Sequence, residues 1–598
     1  MDKKYLPTGN EMISIPKLNG VTAGIEDITF LHMGYKGLVD LRGNTEQALI
    51  EPFVEQDGKS VPLTDLEWER LGFWVPRFSG QAGHIRVEGA ILAPIGERGF
   101  IYRMELTNLD RHPHDTRCGL RGCWDSAWHC VNEDKEIEGT KHCFESGWNG
   151  SLIFDMRCGV PLFCFAPMPG DDGCVSTWEQ TGAGISYQLI HSFTLTPNRK
   201  QELVFYWGFG FEEVSAATSA KEMLRQGYQH EEAVTLSWLR DRTCWLADDA
   251  LRQFYNTNLF FCIFFSTGIT LDTEELVLVT SRSPRYYVSA AYWDRDSLLW
   301  SFPAILEVDR ELARGMLEYV FGRQRRNIGV HSRFIDGTVL EPGFELDELM
   351  APVLALGQYL ETTKDDSLLA EPGVRRGLEE ILQKLEKRRH PQAALYSTFL
   401  QPTDDERVYP YLTYDNVLVW KGLTVLARLL SRPDLGRRAD RVKADIWQNC
   451  VVENNGKPYF AWSIDLEGHH DVYDEPPGSL QLLPHWGFCA AQDEVYRNTV
   501  DMIRSPEYRY SFAGSPFGEI GCPHAPHPWL LSIANSLLCG RVEHATDILK
   551  KALMDNGIAC ESIDETTGEC TTGEAFATCA GFVCHALRTA MEGTANAE

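Results

Sequence analysis

Two short stretches late in the chain hold residue types suited to acid–base chemistry on a neutral ligand. Gly518-Glu-Ile-Gly-Cys-Pro-His-Ala-Pro526 carries His524 on a loop that glycine and proline keep out of a helix, and Ala559-Cys-Glu-Ser-Ile-Asp-Glu565 carries the carboxylate Glu561. Upstream, Tyr292-Trp-Asp-Arg-Asp-Ser297 sets Arg295 beside Asp296, a pair suited to forking onto neighbouring sugar hydroxyls. Glu341-Pro-Gly-Phe-Glu-Leu-Asp-Glu348 ends in Asp347 and Glu348, which open the apolar helix Leu349–Leu360. Gln401-Pro-Thr-Asp-Asp-Glu-Arg407, Tyr411-Leu-Thr-Tyr-Asp-Asn416 and Tyr473-Asp-Glu-Pro-Pro-Gly-Ser-Leu480 add further acids and aromatics. Glycoside hydrolysis needs two carboxyls: one protonates the leaving oxygen, and in an inverting enzyme the other activates water from the opposite face, about 6.5–9.5 Å away. Carboxyls on loops far apart in the chain supply such a pair if helices bring those loops to one mouth.

Each residue also has a plainer reading. Acids in a first turn complement the helix dipole, and Ser297 is placed as an N-cap. His524 and His527 stand at a spacing that suggests metal ligands, but Pro523, Pro526 and Pro528 break the helix that would align them. No CxxC pair occurs with a partner pair. We therefore expect no metal and no cofactor.

The elements that must position these loops change character along the chain. From about residue 10 to 210, short runs alternate apolar with polar, as in Phe100-Ile-Tyr-Arg-Met-Glu-Leu-Thr107 and Gly184-Ile-Ser-Tyr-Gln-Leu-Ile-His191. Turns such as Pro169-Gly-Asp-Asp-Gly173 punctuate them, which predicts an antiparallel β-sandwich over residues 1–211. Helical spacing over Glu212–Tyr228 and Ser237–Leu246 predicts a helical linker at 212–248. From Asp249 the pattern is helical: Asp249–Phe265, Ser297–Ile305, Arg310–Arg323, Leu346–Thr362, Gly373–Arg388, Asn416–Leu430, Pro433–Cys450, Val495–Met502, His527–Leu538, Val542–Met554 and Glu574–Met591. Near a dozen antiparallel helices without a tight sequence repeat close as six hairpins, an (α/α)6 barrel over 249–598, rather than an open solenoid. The fold class is multidomain, a β-sandwich followed by an all-α barrel.

Bulk composition narrows the partners. A chain of 598 residues with formal net charge −29 is too long for one ordinary core and too acidic for nucleic acid or an anionic membrane surface. A neutral carbohydrate suits it, and 16 Trp with 21 Tyr supply faces on which sugar rings pack. The N-terminus, Met1-Asp-Lys-Lys-Tyr-Leu-Pro7, has no apolar h-region, and Leu259-Phe-Phe-Cys-Ile-Phe-Phe265 is too short to span a bilayer. With 17 cysteines at no repeating spacing, this predicts a cytoplasmic protein with reduced thiols. The layout is compatible with a homodimer.

Over residues 285–590 the order of motifs resembles glycoside hydrolase family 125, metal-independent exo-α-mannosidases with an (α/α)6 barrel. Trp293-Asp-Arg-Asp-Ser297 is similar to the family's Arg-Asp-Ser loop, and Glu345-Leu-Asp-Glu-Leu349 to its Glu-Ile-Asp-Ser helix. Pro402-Thr-Asp-Asp405 resembles its Pro-Ser-Asp-Asp, and Asp474-Glu-Pro-Pro-Gly-Ser-Leu480 its Asp-Asp-Ala-Asn-Val-Pro-Ser-Leu. Ile520-Gly-Cys-Pro-His524 resembles its Ile-Gly-Ser-Pro-His, and Cys560-Glu-Ser562 its His-Glu-Ser. The resemblance implies inversion, with Asp347 as general acid and Glu561 as general base. It further implies that Trp293, Arg295, Asp296, Glu345 and His524 hold the terminal sugar, with Asp405 and Asp474 beside them. The chain departs from the family in its long β-domain, which resembles that of glucoamylases, related α-glucosidases and debranching glucosidases. Cys560 replaces a histidine, and Thr571-Thr-Gly-Glu-Ala-Phe576 replaces Phe-Thr-Arg-Pro-Trp-Phe, which makes Glu574 an alternative base.

The expectation is an inverting exo-α-glycosidase that releases a terminal hexose, mannose before glucose. A phosphorylase on the same architecture and a sugar-binding relic are the competing readings.

Overall fold

The computed structural model describes residues 5–182, 184–454 and 456–595. By internal contacts the chain divides into two units, residues 1–243 with 267–277 and 282–290, and residues 244–266 with 278–281 and 291–598.

The first unit is built on antiparallel sheets. The largest has the strand order Thr140–Glu145, Leu152–Cys158, Val160–Pro169, Lys200–Gly210, Gly99–Asn108, Ile85–Leu92, Val75–Ala82 and Thr64–Leu71. A second sheet centres on His114–Trp124 between Glu51–Gln56 and Gly184–Leu195, and a third on Asp27–His32 and Gly37–Arg42. Alternation sorts the faces of Gly99–Asn108: Tyr102, Met104 and Leu106 are buried, while Arg103, Glu105 and Thr107 are half-buried on the other side. There Arg103 pairs with Glu202 and Lys200 with Glu105 across the register of the neighbouring strand. Side chains from all three sheets share one core, in which Phe154 and Phe165 stack at 4.6 Å with Trp124 edge-on. Truncating such an aromatic costs about 3–5 kcal/mol, so this core dominates the unit's stability.

Two helices close the first unit. Glu213–Gln226 buries Ala216, Ala217, Ala220 and Met223 against Val160–Pro169 and Lys200–Gly210. The second helix is Tyr228–Arg242, beginning well before the expected Ser237. Gly227 breaks the first helix at φ +84°, and the buried stripe of Tyr228, Glu231, Thr235 and Leu239 restarts it at once.

The second unit is the (α/α)6 barrel. In each pair a largely buried element is followed by an amphipathic one. Asp296–Ser301 and Phe302–Val308 precede Arg310–Gly322; Leu346–Thr363 precedes Pro372–Glu386; Thr413–Leu429 precedes Pro433–Asn449. Short 3₁₀ turns at Pro476–Gly478 and Leu480–Leu482 stand before Glu494–Ile503, and Leu530–Leu538 precedes Val542–Lys551. The last helix, Ala577–Ala595, packs on Asp249–Ser266 and so joins the two ends of the ring. Gly581 permits this: a Cβ there would lie 2.8 Å from both Cys262 Sγ and Ser301 Cα. The second members show why they lie outside. Pro372–Glu386 buries Val374, Leu378, Ile381, Leu382 and Leu385, one stripe at helical spacing, and leaves the rest to solvent. Among the described residues no helix is long and apolar enough to cross a membrane.

The helices starting at Thr413, Leu530 and Ala577 each begin three residues from the expected Asn416, His527 and Glu574, and the start expected at Ser297 differs in kind. Ser297 is not an N-cap: Arg295 is already helical, and Asp296–Ser301 is a π turn in which the Phe302 N–H donates to the Ser297 carbonyl. The N–H groups ahead of this turn are satisfied by a carboxylate from the next inner helix, so no serine cap is needed. Such wide turns recur at functional sites.

Candidate active site

Leu346–Thr363 begins after an extended Glu345, and Glu345, Asp347 and Glu348 are all completely buried. The Glu348 carboxylate accepts from the N–H of Asp294 and from that of Arg295 (3.1 Å), capping the neighbouring π turn. Arg295 spreads its guanidinium over three acids: Nη1 donates to Glu345 Oε2 (2.6 Å) and Asp347 Oδ2 (3.2 Å), and Nη2 to Asp404 Oδ1 (2.6 Å). Its Nε lies 3.6 Å from Asp296 Oδ2, and its face rests on Trp300. His331 joins from the strand Val330–Arg333, bonded through Nδ1 to Glu345 (2.8 Å) and through Nε2 to Glu341 (3.0 Å). Trp293 meets the His331 ring edge-on at 5.7 Å.

This ring has more acids than bases. Burial disfavours a charged His331, but Glu341 and Glu345 outweigh it and push the imidazole up to about 11. Two cations therefore face Glu341, Glu345, Asp347, Glu348, Asp404 and Asp296. Burial raises Glu345 to about 7 and Asp296 to about 7, and it raises Asp347 and Glu348 as well, with Arg295 opposing in each case. Asp404 is carried below its usual range because Arg295 and His331 outweigh its burial. At neutral pH the ring thus holds protons as well as ion pairs.

Glu561 stands on a second wall. It leads into the hairpin Ser562–Ile563/Cys570–Thr572, and its carbonyl accepts from Leu530 N (3.0 Å), tying the hairpin to the helix Leu530–Leu538. Thr572 Oγ1 donates to Glu561 Oε1 at 3.0 Å. The last helix connects this wall to the ring: Thr578 Oγ1 donates to Asp296 Oδ1 (3.0 Å), and the next residue, Cys579, lies within the fields of both Glu561 and Asp296. Glu574 is exposed.

A cavity of about 690 Å³ is lined among others by Gln401, Asp405, Tyr473, Glu475, Tyr508 and His524, and its Asp405 adjoins Asp404 of the ring. Here consecutive acids part company. Asp404 has φ +67°, so the chain turns sharply; Asp404 reaches Arg295 while Asp405 reaches His524 Nδ1 (3.3 Å) and the cavity. Asp474 and the extended Glu475 point to opposite sides. The Asp474 carboxyl is engaged within its own turn by Ser479 Oγ and Leu480 N, both at 2.7 Å, so it shapes the loop rather than facing the cavity. Glu475 does line it, held by Gln401, Thr403 and Tyr473, and burial pushes its carboxyl up to about 8. His527 binds Glu565, a different acid from the partner of His524, so the two histidines do not converge.

His331, Glu345 and Asp404 bring potential ligand atoms within 4.8 Å of one another. They do not suit a metal ion, because Arg295 already donates to both Glu345 and Asp404 and supplies the positive charge a metal would bring.

Residues 389–587 match the family of metal-independent alpha-mannosidases, GH125. The barrel is GH125-like. The matched stretch includes Asp404, Asp405, His524, Glu561 and Thr578, while Arg295 and Asp347 lie upstream of it. A Schizosaccharomyces pombe relative, the meiotically up-regulated gene 157 protein, is 29% identical over 189 residues, covering 29% of this chain and 37% of that protein. The chain therefore spans little more than a third of that relative's length. Among solved structures, a Streptococcus pneumoniae metal-independent α-mannosidase in a non-productive complex with α-1,6-mannobiose is similar over 57% of this chain and 94% of its own, at 18% identity and TM-score 0.52. A bacterial glucoamylase complexed with acarbose is similar over 99% of this chain and 95% of its own, at 13% identity and TM-score 0.65. A kojibiose phosphorylase from the human microbiome gives 97% and 86%, at 11% identity and TM-score 0.61. The GH125-like barrel thus follows a β-sandwich, and the last two share the fold along almost the whole chain.

Sequence alone does not separate His331, Asp404, Thr572, Thr578 and Glu475 as site residues. Thr572 lies within the segment that departs from the family pattern, and Thr578 two residues beyond it. Asp404 and Glu475 each adjoin a residue that was singled out. His331 stands in no motif.

Proposed function

We propose that this protein is an inverting exo-α-glycosidase, with Asp347 as general acid and Glu561 as general base. The observation that carries the reading is the Arg295 ring, in which burial holds the carboxyls of Asp347 and Glu345 above their usual range, against Arg295, within a GH125-like barrel. An acid that must protonate a leaving oxygen needs that environment. Glu561, with a hydroxyl donor from Thr572, suits a carboxylate that takes a proton from water. The proton lost by Asp347 and the one gained by Glu561 return to balance through solvent, so the cycle is proton-neutral. Asp296, Trp293 and His524 are the residues that would hold the terminal sugar. The buried indole N–H of Trp293 has no partner among the described residues and is a ready donor to a hydroxyl. The cavity beyond His524 has room for the leaving group.

Mannose is favoured by the family match over residues 389–587, and glucose is second on the likeness to a glucoamylase along 99% of the chain. Phosphorolysis is disfavoured: Arg295 faces five acids within 4.0 Å and His331 faces three, leaving neither cation for phosphate. None of the 17 cysteines is joined in a disulfide, in keeping with a cytoplasmic setting.

The deciding experiment follows aryl α-mannoside and α-glucoside turnover by NMR, with and without inorganic phosphate. The expected first product is the free β-hexose at a rate independent of phosphate. Formation of a sugar 1-phosphate, or of the α-anomer first, would overturn the proposal.

A further inference from the structure

Asp415 stands on the inner helix Thr413–Leu429, which packs on Leu346–Thr363. Two glycines give the register. A Cβ on Gly422 would lie 2.9 Å from Met350 Sδ, and one on Gly357 would lie 2.8 Å from Val425 Cγ1. The helices therefore run parallel, with 422 beside 350 and 425 beside 357. Seven residues before Gly422, two turns toward the N-terminus on the same face, is Asp415. Ten residues back along both helices from the Val425–Gly357 contact stand Asp415 and Asp347, the latter in the first turn of the facing helix and two residues after Glu345.

Asp415 is completely buried, and neither of its carboxyl oxygens has a hydrogen-bond partner among the described residues. Its neighbour Asn416 is committed to Tyr396 and the Leu412 carbonyl. On the outer helix Pro433–Asn449, Arg438 is committed to Tyr396 and Glu386, and Asp445 to the backbone of Ala394. The charged groups facing Asp415 are thus Asp347, Glu345 and Arg295. An unbonded buried carboxylate costs several kcal/mol, and nothing in the fold repays it locally. Burial first, then Asp347 and Glu345, hold this carboxyl well above the usual range, against Arg295.

We infer that Asp415 is a positioning residue for Asp347: the two carboxyls hold one proton between them, so that Asp347 meets the glycosidic oxygen in its protonated form. The inference rests on the reading of Asp347 as general acid. A pair that shares a proton titrates as a unit, and its apparent pKa belongs to neither residue alone.

The test uses Asp415→Asn, which keeps the shape and cannot ionise. With Asp415 neutral, Asp347 loses one like-charged neighbour while Arg295 still favours its ionised form. The basic limb of kcat/KM should move down by about one pH unit, lowering activity about tenfold above the limb while leaving the acid side nearly unchanged. Asp415→Leu should lose the same alkaline activity with a thermal midpoint at or above that of the wild type, which separates the effect from misfolding. A uniform loss of activity with an unmoved limb would overturn the inference. Infrared difference spectra of wild type minus Asp415→Asn, without substrate at pH 6, read the proton directly and should contain a protonated carboxyl C=O band. If that difference holds only ionised carboxylate, the inference fails whatever the enzyme hydrolyses. If no α-glycoside is turned over, the proposed function fails and the band alone decides whether the pair exists.

Discussion

The molecule buries acids beside bases in two regions, and they differ in how the partners are gathered. In the sheets, Lys17 pairs with Asp27 (3.1 Å) and Arg42 with Asp40 and Asp134. Asp27 and Arg42 face each other in register on adjacent strands, and side chains of Lys17 and Arg42 remain 26% and 23% exposed. In the barrel, Arg295 is 3% exposed and its partners come from Glu345–Glu348, Asp404 and Asp296, with His331 inserted between. The sheet cluster is a by-product of strand pairing, and water shares its charge. The barrel ring must be assembled from remote segments, and its acids outnumber its bases. A dry cluster in which acids outnumber bases, beyond what capping one turn with Glu348 requires, is the mark of a site kept for its chemistry.

That contrast breaks most readily at the level of turnover. Asp347→Asn and Glu561→Gln should each lower kcat on an α-mannoside by about 10³-fold or more with the fold intact by circular dichroism, while Asp40→Asn leaves kcat unchanged. Comparable losses from Asp40→Asn would erase the distinction between the regions.

Stability offers the next effect. Arg295→Met strands several buried carboxyls without their cation and should cost about 3–5 kcal/mol in urea titrations that follow the barrel's unfolding. Arg42→Met, removing a partly hydrated partner, should cost about 1 kcal/mol. Equal costs would mean that water screens both clusters alike.

The smallest effect is a slope. His331 is raised in the folded protein to about 11, so its stabilising contribution is complete below about pH 6.5, where the unfolded imidazole is also protonated, and is lost as pH climbs toward 11. The thermal midpoint of the wild type should therefore fall more steeply across that window than that of His331→Gln. Parallel curves would remove His331 from the charged ring.

Much of this was legible from local pattern. Apolar spacing located Leu346–Thr363, Pro433–Asn449 and Arg310–Gly322 to within one or two residues, because each carries a continuous stripe and a clear breaker. The motif order led to the Arg295, Asp347 and Glu561 segments. What escaped depended on dihedral angles and remote partners. Nothing local distinguishes Asp404 from Asp405 until the left-handed turn sends them apart. Ser297 has the chemistry of a cap, and only the Glu348 carboxylate from another helix makes it superfluous. His331 acquires its role from Glu341 and Glu345, residues that a strand pairing brings back to it.

The packing of Ala577–Ala595 on Asp249–Ser266, together with the bond from Thr578 to Asp296, has a bearing on biosynthesis. A nascent chain emerging from the ribosome would make most inner helices long before the segment that unites the ends. The substrate pocket would therefore gain its final shape only after residues beyond 578 leave the exit tunnel. Until then the half-built ring would expose the apolar sides of its first helix, a hazard best met by rapid completion or a chaperone.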